Sequence, residues 1–197
     1  MNLPGPGYGG RMRVVAGFAG GRRLQAPAGR RVRPTSERVR EALFNALGSM
    51  DAIAGATVLD LFAGTGALGI EALSRGATTA TFVDADPRAV AAIKANLEAT
   101  GMAERARVVQ ADVVRFLTER PPANVDIAFA DPPYSFDGWA GLLDVVPARL
   151  VAIEARVHID LPPAWHPLRS KRYGDTVVTL ARFEQDPGPG KSVPEEG

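Results

Sequence analysis

Asp131-Pro132-Pro133-Tyr134 closes the apolar run Val125-Asp126-Ile127-Ala128-Phe129-Ala130 and puts a carboxylate, carbonyls and an aromatic face within four residues. Neither proline has a backbone N–H to donate, and Pro132 biases Asp131 toward an extended conformation. The group can accept hydrogen bonds from an exocyclic amine, at the Asp131 carboxylate and the Pro132 carbonyl, while Tyr134 stacks on the ring that carries it. Such an amine is a poor nucleophile because its lone pair is delocalised, so the chemistry indicated is transfer of a strongly electrophilic methyl group to a positioned nitrogen. The plain alternatives are a turn-forming Asx residue at Asp131 and an ordinary packed aromatic at Tyr134.

The run Val58-Leu59-Asp60-Leu61-Phe62 leads into Ala63-Gly64-Thr65-Gly66-Ala67-Leu68-Gly69 and then a helical stretch. Glycines there let the backbone turn tightly and approach a ligand, with helix N–H groups facing it. Asp84 ends the next strand, where a carboxylate can accept both hydroxyls of a ribose. The candidate cofactor-binding set is Asp60, Phe62, Gly64, Gly66, Asp84 and Asp112. Asp60 can hold the glycine turn or face a charged end of the cofactor. Asp112 can accept from an adenine amino group or cap the helix that follows it, and Asp86 is better placed as a cap. The glycine spacing also fits a dinucleotide, so the turn alone does not choose the cofactor. In a doubly wound sheet the first and fourth strands are neighbours, which brings the glycine turn and the Asp131 tetrapeptide to one crevice. That juxtaposition favours a methyl donor.

Alternating elements are needed to position these loops. Strands are expected near Thr57 to Phe62, Thr79 to Asp84, Ala106 to Gln110, Val125 to Ala130 and Leu150 to Ile159, then around Leu168 to Tyr173 and Thr176 to Phe183 across a Gly174-Asp175 turn. Helices are expected at Ala67 to Arg75, Pro87 to Ala99, Val113 to Glu119 and Trp139 to Leu143. An earlier helix opens at Pro34-Thr35-Ser36-Glu37, capped by Thr35 or Ser36, carries Val39, Leu43, Phe44 and Leu47 on one face and ends at Gly48. The pattern is α/β, a mostly parallel sheet covered on both faces. Arg13 to Ala16 and Arg22 to Gln25 flank a glycine-rich turn and suggest a small hairpin.

The 197 residues carry a net charge of only +1, but it is unevenly spread. Residues 1–40 hold nine arginines against Glu37 alone, a net +8, and the remainder is −7. Guanidinium groups match phosphate oxygens in bidentate fashion, so Arg11, Arg13, Arg22, Arg23, Arg30, Arg31 and Arg33 are candidate RNA contacts. A solvated basic tail is the simpler reading of the same charges. With no cysteine there are no disulfides and no thiolate metal sites, and His158 and His166 lack ligand spacing. No metal, no membrane span and a cytoplasmic location are expected, with a monomer as the working state. The expected organisation is a disordered tail at 1–10, an arginine-rich hairpin extension at 11–34, a catalytic domain at 35–183 and a second disordered tail at 184–197.

The chain resembles the class I S-adenosylmethionine-dependent methyltransferases that modify exocyclic amines, and more closely the bacterial 16S rRNA guanine-N2 methyltransferases of the RsmD family. The residues that carry this are Arg13-Val14-Val15-Ala16-Gly17 with Gly21-Arg22-Arg23-Leu24, the run from Arg33-Pro34-Thr35 to Phe44-Asn45, the run from Leu59 to Ala77, and Asp131 to Tyr134. The resemblance covers roughly residues 12 to 183. It implies a Rossmann-like seven-stranded sheet with an antiparallel last strand, preceded by an extension that helps hold rRNA. It implies S-adenosylmethionine at Gly64, Gly66 and Asp84, its adenine near Asp112, and the target base at Asp131, Pro132, Pro133 and Tyr134. The partner it implies is 16S rRNA or a small-subunit assembly particle. Ser135 to Trp139 carry no assignment.

Three other readings stand beside it. The same tetrapeptide could seat an adenine of DNA or an amide of a protein. A nicotinamide-dependent oxidoreductase would leave the tetrapeptide without a purpose, and a noncatalytic RNA-binding module would use the arginines alone.

Overall fold

A computed structural model of the chain describes residues 12–27 and 35–184, with the side chains of Thr35 and Ser36 left aside. The expected tails, the capping of the first helix by Thr35 or Ser36, and Arg11, Arg30, Arg31 and Arg33 lie outside what it describes. The elements in chain order are α1 (Thr35–Gly48), β1 (Thr57–Leu61), α2 (Ala67–Ser74), β2 (Thr79–Asp84), α3 (Pro87–Thr100), β3 (Ala106–Gln110), α4 (Val113–Glu119), β4 (Val125–Ala130), α5 (Trp139–Val145), β5 (Ala148–Ala155), β6 (Trp165–Tyr173) and β7 (Thr176–Phe183). Seven strands form one sheet in the order β3-β2-β1-β4-β5-β7-β6. β1 pairs in parallel with β2 and β4, whereas β7 is antiparallel to both β5 and β6. The chain order reverses between β1 and β4, so the loops that leave these strands face each other at the carboxyl end of the sheet.

Each face of the sheet has its own apolar layer. Phe44 and Leu47 of α1, Ile70 and Leu73 of α2 and Ile93 and Leu97 of α3 cover one face, over Phe82 and Phe129. On the other, Phe116 and Leu117 of α4 and Leu142 and Leu143 of α5 pack over Leu59, Leu61 and Ile153. The strands alternate accordingly, and the central ones are buried on both sides.

Strand ends differ from expectation for local reasons. β1 stops at Leu61 because Phe62 takes a left-handed φ of 56°. β5 covers Ala148–Ala155 rather than reaching Ile159, since Ala155 pairs with Val177, one residue from the start of β7, and among the described residues no partner strand continues beyond. β6 begins earlier, at Trp165, and crosses Pro167 with a register shift between Pro167 and Arg169. An edge strand tolerates the missing N–H.

The N-terminal segment is not the two-stranded hairpin that its pattern suggests. It doubles back through one antiparallel bridge, Arg13 with Arg23, supported by Val14 N–H to Arg22 O and Leu24 N–H to Met12 O. The reason is competition for donors: Val15 and Ala16 give their N–H groups to the Glu71 carboxylate at 2.7 and 3.0 Å. Glu71 is fully buried on α2 and also accepts from Arg75 Nε at 2.7 Å. Arg40 of α1, 2 % exposed, lies with Nε 3.5 Å from Glu71 and donates through its terminal nitrogen to Arg13 O. Burial lowers the Arg40 pKa from its ordinary value, and the Glu71 charge opposes that shift. At Gly17 the approach is tight enough that a Cβ would lie 2.0 Å from Ser74 O, and φ is +81°. Only glycine fits there.

Glu71→Ala would strand two cations in a closed site. The expected cost is at least ~3 kcal/mol in unfolding free energy, the range for removing one partner of a buried pair. Urea denaturation of the variant beside the parent checks it.

Candidate active site

The crevice is built where β1 and β4 end side by side, with Asp60 opposite Phe129 and Leu61 opposite Ala130. Phe62 leaves β1 with its left-handed backbone, and Gly64 and Gly66 follow at φ of 57° and 75°. Gly66 caps α2, whose first turn opens toward the crevice. Gly69 is required by packing, because a Cβ there would sit 2.3 Å from the Phe82 ring. The turn is thereby pressed against β2.

Three carboxylates converge on this turn. Asp60 Oδ2 accepts from Gly69 N–H at 2.8 Å, so Asp60 holds the glycine turn in place. Asp84 accepts from Gly64 N–H at 2.8 Å through Oδ2 and from Asp86 N–H at 2.9 Å through Oδ1, tying the ends of β1 and β2 together. Asp131 starts the loop after β4. Asp60 is buried, and desolvation together with the charges of Asp131 and Asp84 pushes its pKa up to about 8 despite the Gly69 hydrogen bond. A crevice with this much negative potential suits a ligand that carries positive charge.

Asp112 caps α4 by accepting from Arg115 N–H at 2.9 Å, and Asp86 caps α3 by accepting from Arg88 N–H at 2.9 Å. The loop after β4 turns at once: Phe136 N–H donates to Pro133 O at 2.9 Å. Phe136 then meets Phe62 with ring centroids 5.2 Å apart and Trp139 at 5.3 Å. The two loops therefore touch through their aromatic residues. Pro132 is buried beneath them, and Tyr134 keeps 38 % of its surface exposed, with the Arg156 guanidinium 3.8 Å above its ring.

Residues that the sequence reading passed over complete the site. Asn96 of α3 is fully buried: its side chain accepts from Gln25 N–H at 2.7 Å and donates to Gln25 O and to Thr65 O at 3.0 and 2.9 Å. It links the N-terminal segment to the glycine turn, where Thr65 Oγ1 also reaches Met12 Sδ at 3.4 Å. The clue to Asn96 was an amide on the apolar face set by Ile93, Leu97 and Thr100. Phe136 was marked only by following Tyr134 at an interval of two.

Of the candidate RNA contacts that can be placed, Arg13, Arg22 and Arg23 are all exposed. Arg13 pairs with Glu37 at 3.5 Å, and Arg22 donates to Ala99 O at 3.2 Å. His158 bonds to Ser170 Oγ and His166 pairs with Glu184. Among the described residues no group of three or more His, Cys, Asp or Glu could hold a metal ion, and no helix is long and apolar enough to cross a membrane. A cavity of about 720 Å³ bounded by Asp126, Arg149, His166 and Glu184 lies at the other end of the sheet, away from this chemistry.

The sheet order, the glycine turn on α2 and the loop after β4 define a Rossmann-like methyltransferase fold. The family model described as Conserved hypothetical protein 95 matches residues 12–182, and the chain belongs to that family. Ribosomal RNA small subunit methyltransferase D of Escherichia coli is 37 % identical to it over 194 residues, covering 93 % of this chain and 96 % of that one. The Haemophilus influenzae protein of the same name is 38 % identical over 134 residues, 67 % of this chain and 68 % of its own. Among solved structures, the Escherichia coli chain yhhF superposes with a TM-score of 0.78 at 36 % identity, over 89 % of this chain and 99 % of that one.

The raised Asp60 pKa predicts a pH signature. With a folded value of about 8 against an ordinary 3.8, the folded state holds more protons than the unfolded one across that window. Asp60 therefore makes stability fall as pH rises from about 4 to about 8, by no more than ~1.4 kcal/mol per pH unit, and flatten above. Asp60→Asn keeps an oxygen for Gly69 N–H and should remove that slope. Urea unfolding of both proteins at pH 5, 6.5 and 8 measures it.

Proposed function

We propose that this protein transfers a methyl group from S-adenosylmethionine to the exocyclic N2 of a guanine in 16S rRNA of the small ribosomal subunit. The observation that carries the proposal is the contact of the loop holding Asp131 to Tyr134 with the end of β1, through Phe62 and Phe136, beside a glycine turn lined by carboxylates. Membership of a family with relatives named as small-subunit rRNA methyltransferases supports the substrate class.

The residues present fit the donor. Gly64 and Gly66 let the backbone of the turn approach it, and the first turn of α2 directs N–H groups there. Each Asp84 oxygen keeps further acceptor capacity for a ribose hydroxyl beside its backbone hydrogen bond, and Asp112 Oδ2 is assigned to the adenine amine. Phe62 would line its edge, and the Asp131 charge would favour its cationic end, while Asp60, whose pKa is pushed up to about 8, holds the glycine turn. When bound, S-adenosylmethionine supplies an electrophilic methyl on a positively charged sulfur.

Asp131 and the Pro132 carbonyl accept hydrogen bonds from the guanine amine and aim its lone pair along the line of transfer. Tyr134 stacks on the base. As the N–C bond forms and the S–C bond breaks, positive charge develops on the nitrogen, where the Asp131 carboxylate stabilises it. The surplus proton then leaves to Asp131 or solvent. Pro133 carries no N–H to compete for the amine's acceptors, and its carbonyl is engaged by Phe136. The base must leave its stack, at a cost of a few kcal/mol that phosphate contacts from Arg11, Arg13, Arg22, Arg23, Arg30, Arg31 and Arg33 offset. The working form is a cytoplasmic monomer acting on rRNA or an assembly particle.

The test is transfer of labelled methyl to small subunits from a strain lacking its own guanine-N2 enzyme, with nucleosides identified by mass spectrometry. The parent should form N2-methylguanosine. Asp131→Ala should lose roughly 100-fold or more in rate while its affinity for S-adenosylmethionine stays within about threefold. Label on another nucleoside, on DNA or on protein would overturn the substrate, and an undiminished rate in the variant would overturn the role of Asp131.

A further inference from the structure

The arginine-rich N-terminus is not the only basic surface. β6 is an edge strand whose residues from His166 to Arg172 are all exposed, and its sequence, Trp-His-Pro-Leu-Arg-Ser-Lys-Arg-Tyr, contains no acid. β7 runs against both β5 and β6, so β6 runs in the same sense as β5. Its last residues, Lys171 to Tyr173, and the Gly174-Asp175 turn therefore lie at the carboxyl end of the sheet, the end that carries Asp131 and Tyr134.

The link to the site is a physical contact. Arg156 is the first residue after β5, as Tyr134 follows β4, and these two strands are parallel neighbours. The Arg156 guanidinium lies 3.8 Å above the Tyr134 ring, and Arg172 Nη1 donates to Arg156 O at 3.2 Å. Lys171 stands 5.3 Å over the Tyr173 ring. These contacts employ the cations on π faces and a carbonyl, which leaves their formal charge unneutralised. Arg38 of α1, with Tyr173 and Gly174, lines a cavity of about 450 Å³ beside the same turn. Charged edge strands also discourage sheet-to-sheet pairing, but that need does not place a guanidinium on the exposed aromatic ring of the site.

Resting on the proposed RNA substrate, we infer that Arg156, Arg172 and Lys171 form a second RNA-backbone contact at the target-base side of the crevice, with Arg156 covering the Tyr134 ring until the base arrives. A planar guanidinium occupies a ring face much as a base does and is equally suited to a phosphate. When the base takes the ring, Arg156 moves its charge onto the adjoining phosphates. The N-terminal arginines and this turn would then grip the strand from opposite sides of the flipped nucleotide.

The experiment compares parent, the Arg156→Ala/Arg172→Ala double variant, Arg156→Lys, and Arg149→Ala. Arg149 lies at the start of β5, at the far end of the sheet, and removes a charge without touching the surface. The substrate is the undermethylated small subunit, and affinity is read by filter binding between 50 and 200 mM salt as well as by turnover. The double variant should raise KM for the particle about tenfold, keep S-adenosylmethionine affinity within about twofold, and make the log affinity against log salt slope shallower by about one for each guanidinium removed. Arg156→Lys should keep the parent slope, and Arg149→Ala should match the parent throughout. A parental KM and slope in the double variant, or an equal change in Arg149→Ala, would overturn the inference. Filter binding needs no turnover, so a parent that binds rRNA without methylating it would defeat the proposed reaction while the slopes still decide the surface.

Discussion

A buried carboxylate on the helix that begins at the glycine turn holds this molecule together where its function is built. Glu71 is excluded from water, yet it accepts from two backbone N–H groups of the N-terminal segment and from Arg75, with Arg40 beside it. α2 is capped by Gly66, on the glycine turn, and Glu71 lies little more than one turn along the helix. The helix that presents its N-terminus to the crevice is thus also the anchor of the arginine-bearing segment. Asn96 adds a second tie, from Gln25 to Thr65 within the turn itself. Buried polar groups of this kind are costly unless partnered, and here the partners come from three separate parts of the chain, although Arg40 Nε makes only its 3.5 Å ion pair with Glu71 and no hydrogen bond. The segment and the turn are consequently fixed to each other.

The crevice is organised by a different electrostatic problem. Asp60, Asp84 and Asp131 gather at the ends of β1, β2 and β4, and the first two are turned inward to hold backbone N–H groups. Burial raises the Asp60 pKa, and its two carboxylate neighbours add to the effect. The Asp84 and Asp131 charges that add to this shift also favour a cationic ligand over a neutral or anionic one. The glycine spacing by itself leaves a dinucleotide open; an acidic crevice joined to the Asp131 tetrapeptide favours a sulfonium donor.

Much of the fold is legible in the chain because its signals are local. β2, β3, β4, β7 and α4 have the limits expected from apolar period, caps and turns, and Asp86, Pro87 and Gly101 bound α3 through ordinary helix-end chemistry. The misplacements come from partners distant in sequence. β5 ends at Ala155 because β7 begins opposite it, and the N-terminal segment forms one bridge because Glu71, some fifty-five residues away, takes its donors. The site divides in the same manner. Asp60, Asp84, Gly64, Gly66 and the tetrapeptide stand at strand ends where spacing exposes them. Asn96, Phe136 and Arg156 sit within runs whose local pattern is fully explained by helix, loop and strand end, and only the topology brings them to the crevice.

The central claim is that a guanine amine meets the methyl donor at the junction of the β1 and β4 loops. The most direct measurement is a cryo-electron microscopy structure of the protein on an undermethylated small subunit with S-adenosylhomocysteine bound. The account predicts a flipped guanine whose N2 lies within hydrogen-bond distance of the Asp131 carboxylate and the Pro132 carbonyl, stacked on Tyr134, with the thioether against the glycine turn. A base seated elsewhere, or a cofactor outside the cradle of Gly64, Gly66 and Asp84, would contradict it.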